Sequence, residues 1–144
     1  SNIPLYSTAA ANTIAFAFAT PAGTPAVQTT NASYVKIGTL VTVFFSITFA
    51  ATGGIGTGNV TLINLPFTSK TQTGGAGTFS PAFFTNMNTS GADKVTTMTG
   101  LVRSNSTIID MYGIQSAGTE TALQGGAILN NTTIAGTITY FSAT

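Results

Sequence analysis

The sequence predicts an all-β domain, an antiparallel β-sandwich of the jelly-roll type with about eight strands. Three observations predict it. Apolar and polar residues alternate with period two through much of the chain, as a half-buried strand requires. β-branched and aromatic residues are frequent, and turn signals recur at short intervals. No stretch carries a capped apolar stripe at helical spacing.

Taken in order, the first strand is expected at Asn12–Ala19. There Ile14, Phe16 and Phe18 alternate with Ala15, Ala17 and Ala19, so both faces are apolar, one large and one small. That pattern suits a strand covered on both sides. Thr20–Thr30 carries Pro21, Gly23 and Pro25 and reads as a loop. Ser33–Ile37 is a short strand that Gly38 ends. Leu40–Phe49 is the clearest strand: Val41, Val43, Phe45, Ile47 and Phe49 make one unbroken apolar face. Phe44 breaks the polar alternation opposite and is expected to make contacts on the outer face. Gly53–Gly58 is a glycine-rich turn, Val60–Leu65 a strand closed by Pro66, and Thr68–Thr78 a polar loop. Pro81–Met87, Val95–Arg103, Ser106–Tyr112, Ala122–Leu129 and Thr132–Ser142 complete the strands. Thr96–Arg103 and Thr107–Tyr112 are expected to form a hairpin around Ser104-Asn105. The whole length, 1–144, reads as a single domain. Ser1-Asn2 reads as the scar of a cleaved expression tag, so the segment is expected to be an excised C-terminal domain of a longer chain.

Composition narrows the function. Charged residues make up 5 % of the chain against about 25 % in ordinary soluble domains. Lys36, Lys70, Lys94 and Arg103 are scattered and cannot form the basic stripe that nucleic acid requires. The chain is 43 % apolar, which argues against disorder. The longest apolar run, Ile14 to Ala19, is far short of the ~20 residues that span a membrane as a helix, so no membrane insertion is expected. Thr, Ser, Asn, Gly and Ala cover the surface instead of charge. Such a surface suits packing against neighbours or exposure outside cells.

Catalysis is not expected, nor is a cofactor. There is no His or Cys, hence no ordinary Ser-His-Asp triad and no thiolate or imidazole metal site. Three carboxylates remain, and a glycosidase needs two held about 5–10 Å apart. Asp110 is more simply the cross-strand ion-pair partner of Arg103, and Asp93 beside Lys94 a solvated loop residue. Neither glycine-rich turn is followed by a helix, so neither cradles phosphate. The Asn-x-Ser/Thr sequons at Asn31, Asn59, Asn88, Asn105, Asn130 and Asn131 follow from an Asn- and Thr-rich composition. Carbohydrate is usually held by aromatic platforms with amide and hydroxyl groups. Tyr112, Asn86, Asn88, Asn105 and Gln115 are the candidates, with Tyr112 beside Gly113 expected to expose its ring. Phe16, Phe18, Phe44, Ile138 and Tyr140 are expected to supply core and intersubunit contacts. Loops at 53–58, 68–80 and 113–126 are the expected recognition surface.

Three segments carry a resemblance. Tyr34-Val35-Lys36-Ile37-Gly38-Thr39-Leu40-Val41-Thr42-Val43 resembles a Y-x-K-I-G-N-L-V-T-V stretch of phage tail-fibre and tailspike C-terminal domains. Gly56–Phe67 is similar to the G-x-G-x-V-x-I-x-G-L-P-F stretch that follows it there, with Asn64 where those proteins usually have Gly. Ile134–Phe141 resembles their closing strand. The segment from Thr68 to Gly126 carries no resemblance. The likeness implies a jelly-roll homotrimer, like the heads of tumour necrosis factor and complement C1q. It implies an extracellular position at the tip of a virion appendage, and as partners host cell-surface glycans or neighbouring virion proteins. Two other roles fit the same residues: a carbohydrate-binding module of a viral polysaccharide-degrading enzyme, and a capsid assembly or decoration protein.

Overall fold

Period-two alternation becomes ten antiparallel strands in a computed structural model that describes residues 6–50, 52–88, 94–114 and 120–144. They are β1 (Tyr6–Ala10), β2 (Ala15–Thr20), β3 (Gln28–Ile37), β4 (Leu40–Phe49), β5 (Thr57–Ile63), β6 (Gly77–Met87), β7 (Thr97–Val102), β8 (Ile109–Ile114), β9 (Glu120–Ala122) and β10 (Ile128–Phe141). A single 3-10 turn, Gly125–Ala127, precedes β10.

The strands form one path, β1-β3-β4-β10-β6-β7-β8-β5-β2, with β9 beside β8. The path curls so that its halves face each other. Phe16 of β2, near one end, stacks on Phe49 of β4, with ring centroids 5.9 Å apart. Two features make the corners. β6 meets β7 over only three residue pairs, Gly77↔Val102 to Phe79↔Gly100. The N-terminal chain also changes sheets. β1 pairs with β3 as far as Ala10↔Ser33, and the Ala11 N–H still donates to Ala32 O at 2.8 Å. The chain then turns at Asn12-Thr13 and joins β5 from Ala15↔Ile63. Sheets packed in this way commonly turn corners by strands that switch partners.

The core lies between the halves. Val41, Val43, Phe45, Ile47 and Phe49 of β4 face it, as the alternation predicts, together with Ile134, Ile138 and Tyr140 of β10. Val60, Leu62, Met98, Val102, Ile109 and Met111 cover it from the other half. This is the antiparallel sandwich class that the sequence predicts, with ten strands among the described residues instead of about eight.

The hairpins follow their turn residues. Gly38 takes φ of +58° in the tight link Ile37↔Leu40, where a residue without Cβ enters the left-handed region without strain. The predicted β7–β8 hairpin forms, with Val102↔Ile109 its last pair and Asn105 at φ +49° in the turn. Several boundaries differ, and β1 precedes the first strand expected. β3 starts at Gln28 and β6 at Gly77, inside segments that read as loops. Pro81 sits in β6 at a register shift, where a missing N–H is tolerated. The predicted Ala122–Leu129 strand is instead β9, the 3-10 turn and the start of β10. β10 then runs on past Asn130-Asn131, because a bulge and not a turn accommodates the extra residues.

That bulge is tied by side chains. Register jumps from Ile128↔Met87 to Thr133↔Thr85. Asn86 and Asn131 both take left-handed φ, at +55° and +66°. The Thr132 hydroxyl donates to Asn86 O at 2.7 Å and accepts from the Leu129 N–H at 2.9 Å, so the buried Thr132 is satisfied.

Candidate functional site

Inward-facing residues of a strand are spoken for by the core, so function falls to the outward set and the loops. On β3, β4, β10 and β6 the outward residues fall into five rows across the sheet. They read Ile37–Leu40–Phe141, Val35–Thr42–Thr139–Thr78, Ser33–Phe44–Thr137–Ser80, Asn31–Ser46–Ala135–Phe83 and Thr29–Thr48–Thr133–Thr85. None of these residues is charged. Ile37, Leu40, Phe44, Phe83 and Phe141 keep 39 to 54 % of their surface exposed. Five large apolar side chains on one neutral sheet face form a patch, and patches of this kind mark interaction sites.

The middle of the face is hollowed. Phe44 stands beside Asn31, Ser33, Ser46 and Thr137 along an open groove of about 600 Å³. Thr48 and Thr133 join hydroxyls across the sheet at 2.9 Å. Three adjacent aromatic pairs, Phe44-Phe45, Phe83-Phe84 and Tyr140-Phe141, each send one ring inward and one outward. Phe44 is the one outward ring that the alternation singled out. Ile37, Leu40, Phe83 and Phe141 are additions from the structure. The doubled aromatics are the signal in the sequence that points to two of them.

The other contact candidates face inward. Phe16, Ile138 and Tyr140 are buried, and Phe18 is half-buried with its edge on Phe49 at 6.2 Å between centroids. Tyr140 is a brace: its hydroxyl donates to Phe67 O at 3.0 Å and accepts from the Phe67 N–H at 3.2 Å. Burial pushes the phenol up to about 12. Phe67 is partly buried and meets Tyr34 edge to face at 5.1 Å.

The tentative polar candidates do not gather into one site. Asn86 and Asn88 come together near the start of β10. The Asn86 amide donates to Asn131 O at 3.1 Å and the Asn88 amide to Gly126 O at 3.1 Å, so both hold the bulge and the 3-10 turn in shape. Asn105 lies at the other end of β10, where its N–H donates to Lys70 O and the Lys70 N–H donates to Phe141 O. Tyr112 is half-buried on β8, in the opposite half of the sandwich, between Thr99 of β7 and Ala122 of β9. It is therefore a mid-sheet residue and not an exposed ring at a strand end. Gln115 lies outside the described residues, as does Asp93.

The charged groups with resolved partners lie off the five rows. Arg103 holds both carboxylate oxygens of Asp110, at 2.8 and 2.7 Å, in the predicted ion pair. The hydrogen bond to Asp110 raises the Arg103 guanidinium above its ordinary value. Lys36 sits over the Phe67 ring, 5.4 Å from its centroid. Among the described residues no three His, Cys, Asp or Glu side chains gather as metal ligands would. Among the same residues no helix is long and apolar enough to cross a membrane. Compared with known proteins, the chain matches no family model, no curated protein and no solved structure.

Proposed function

We propose that this chain is a non-catalytic head domain of a viral or phage appendage, a homotrimer that attaches to glycans on the host cell surface. The outer face of β3, β4, β10 and β6 is the observation that supports self-association. Burying its five exposed apolar side chains removes them from water without stripping the solvent from any ion. Four strands about 4.8 Å apart and some 25 Å long present roughly 500 Å² per copy; shared between two neighbours this is the centre of each contact, and flanking loops would supply the rest of the ~800 Å² that each partner gives to a standard interface.

Around a threefold axis each copy meets two neighbours through different parts of its surface. The β3 side of the face, with Ile37 and Leu40, then packs on the β6 side of the next copy, with Phe83. The resemblance of the Tyr34–Val43, Gly56–Phe67 and Ile134–Phe141 segments to phage tail-fibre and tailspike C-terminal domains, which implies a trimer like the tumour-necrosis-factor and C1q heads, supports the same arrangement. Attachment falls to neutral side chains, because sugars without charge are matched by amides, hydroxyls and ring faces. Position on the virion exterior follows from this reading, with neighbouring virion proteins as further partners.

Light scattering on the purified chain is the test of assembly, and a glycan array run on the same sample is the test of attachment. The expected results are a trimer mass and saturable binding to neutral glycans. A monomer with no glycan signal would overturn both halves. A trimer that binds no glycan would keep the assembly and move the role to capsid decoration.

A further inference from the structure

We infer that the hollow between the 21–26 loop and the Gly53–Gly56 turn is a binding site for a small uncharged aromatic molecule of one or two rings. It lies apart from the outer face and does not rest on the proposed trimer. Phe16, Phe18, Phe49, Pro21 and Pro25 wall a half-enclosed space of about 220 Å³. Apolar cavities of about 150 Å³ stay dry and take up benzene. This one is somewhat larger and opens to solvent.

The walls set the class of ligand. Phe16 and Phe49 lie stacked, with 29° between their planes, while Phe18 stands edge-on to Phe49 at 64°. Phe16 and Phe49 are buried and form the floor, so a guest ring meets chiefly the half-buried Phe18 ring, flanked by Pro21, Ala22 and Pro25. Gln28 is the one lining side chain with an amide, and both ends of it bond backbone. Its Oε1 accepts from the Phe16 N–H at 2.7 Å and its Nε2 donates to Phe16 O at 2.8 Å. No charged side chain lines the wall and apolar side chains dominate it, so an ion would lose its hydration with little to replace it.

The space is built into the fold and is not a gap between loose loops. Pro25 and Gly54 form a bridge, the Ala26 N–H donates to Gly54 O at 3.0 Å, and the Gly54 N–H donates to Thr24 O at 2.8 Å. The turn is pressed against its neighbours so closely that a Cβ on Gly53 would stand 2.6 Å from the Ala26 Cα, and one on Gly56 2.5 Å from the Phe18 Cβ. Loops braced in this way cannot close over the hollow to fill it.

The test is a titration of the isotope-labelled chain with indole, followed by the backbone amide signals. The expected result is saturable single-site binding, with shifts centred on residues 16–28 and 49–56. Ala22→Leu, which adds bulk to the lining, is expected to weaken indole at least tenfold while leaving the melting temperature within a few degrees. Phe18→Leu, which removes one ring and keeps the apolar volume, is expected to weaken it severalfold. A capped tryptophan amide run in parallel distinguishes sources: entry of indole alone assigns a free molecule, and entry of both admits an aromatic side chain of a partner. Absence of saturable shifts, or indole binding that both substitutions leave unchanged, would overturn the proposal.

Discussion

At the scale of single residues, two side chains hold backbone that the ladders leave over. Tyr140 gives its hydroxyl to the Phe67 N–H and C=O, four residues beyond the end of β5. Tyr140→Phe removes both bonds and strands two backbone groups in a partly buried place. The expected cost is about 1–3 kcal/mol, read from urea unfolding midpoints. The same phenol gives an alkaline signature. Its folded-state pKa of about 12 stands above the ordinary value of 10.0, so the neutral form is the one the fold favours. Its contribution to stability is complete below pH 10 and is lost as pH rises from 10 towards 12. Tyr140→Phe is expected to flatten that part of the pH–stability curve.

Asn64 is the second case. It takes φ of +67° and its amide donates to Thr13 O at 2.9 Å. Asn is among the few residues that enter the left-handed region at low cost. Asn64→Gly is expected to change stability by less than about 1 kcal/mol, and Asn64→Ala to cost about 1–2 kcal/mol, by thermal or chemical unfolding.

At the scale of elements, the weak point of a sandwich is its edge strand, and here β3 protects β2. The Gln28 amide bonds both backbone groups of Phe16, as a residue of a neighbouring strand would. The Thr30 hydroxyl adds a bond to Ile14 O at 2.7 Å. Gln28→Leu keeps the bulk and removes the pairing. It is expected to cost about 1–3 kcal/mol and to increase aggregation on heating, followed by turbidity.

Legibility in the sequence varied between elements for physical reasons. β4 was readable because one whole face is buried, and the β7–β8 hairpin because Ser104-Asn105 is a turn between two alternating runs. β1 was not, since Ser7 to Ala10 are all exposed on an edge and carry no apolar alternation. Asn130-Asn131 fell between two expected strands, Ala122–Leu129 and Thr132–Ser142, and Asn favours left-handed backbone. That backbone does occur at Asn131, but inside a bulge whose partner, Asn86, is 45 residues away. The candidate site divided in the same way. Phe44 violates its strand's alternation and so stood out. Ile37, Leu40 and Phe141 each end a strand, where only the cross-strand register shows that they share a row. Asn86 and Asn88, chosen for binding, spend their amides on backbone of the bulge and the 3-10 turn instead.

At the scale of the molecule, the sandwich has two apolar surfaces, one sealed inside and one exposed on the outer face of β3, β4, β10 and β6, where the proposed trimer would form. A charge placed on the second surface separates assembly from folding. Phe44→Lys and Phe83→Lys are each expected to leave the unfolding midpoint of the single chain within about 1 kcal/mol, because both rings are half in water already. Each is expected to shift association by one or more orders of magnitude, since an unpaired ion would have to be buried at the contact. Thr29→Lys, at the far row of the same face, is expected to have a smaller effect. Sedimentation velocity over a range of concentrations reads all three.

The most direct measurement is the mass of the unmodified chain in solution by multi-angle light scattering at micromolar concentration. The account predicts three times the chain mass of 14.6 kDa, falling towards that mass when Phe44 is replaced by Lys. A stable 14.6 kDa particle from the unmodified chain across that range would contradict it.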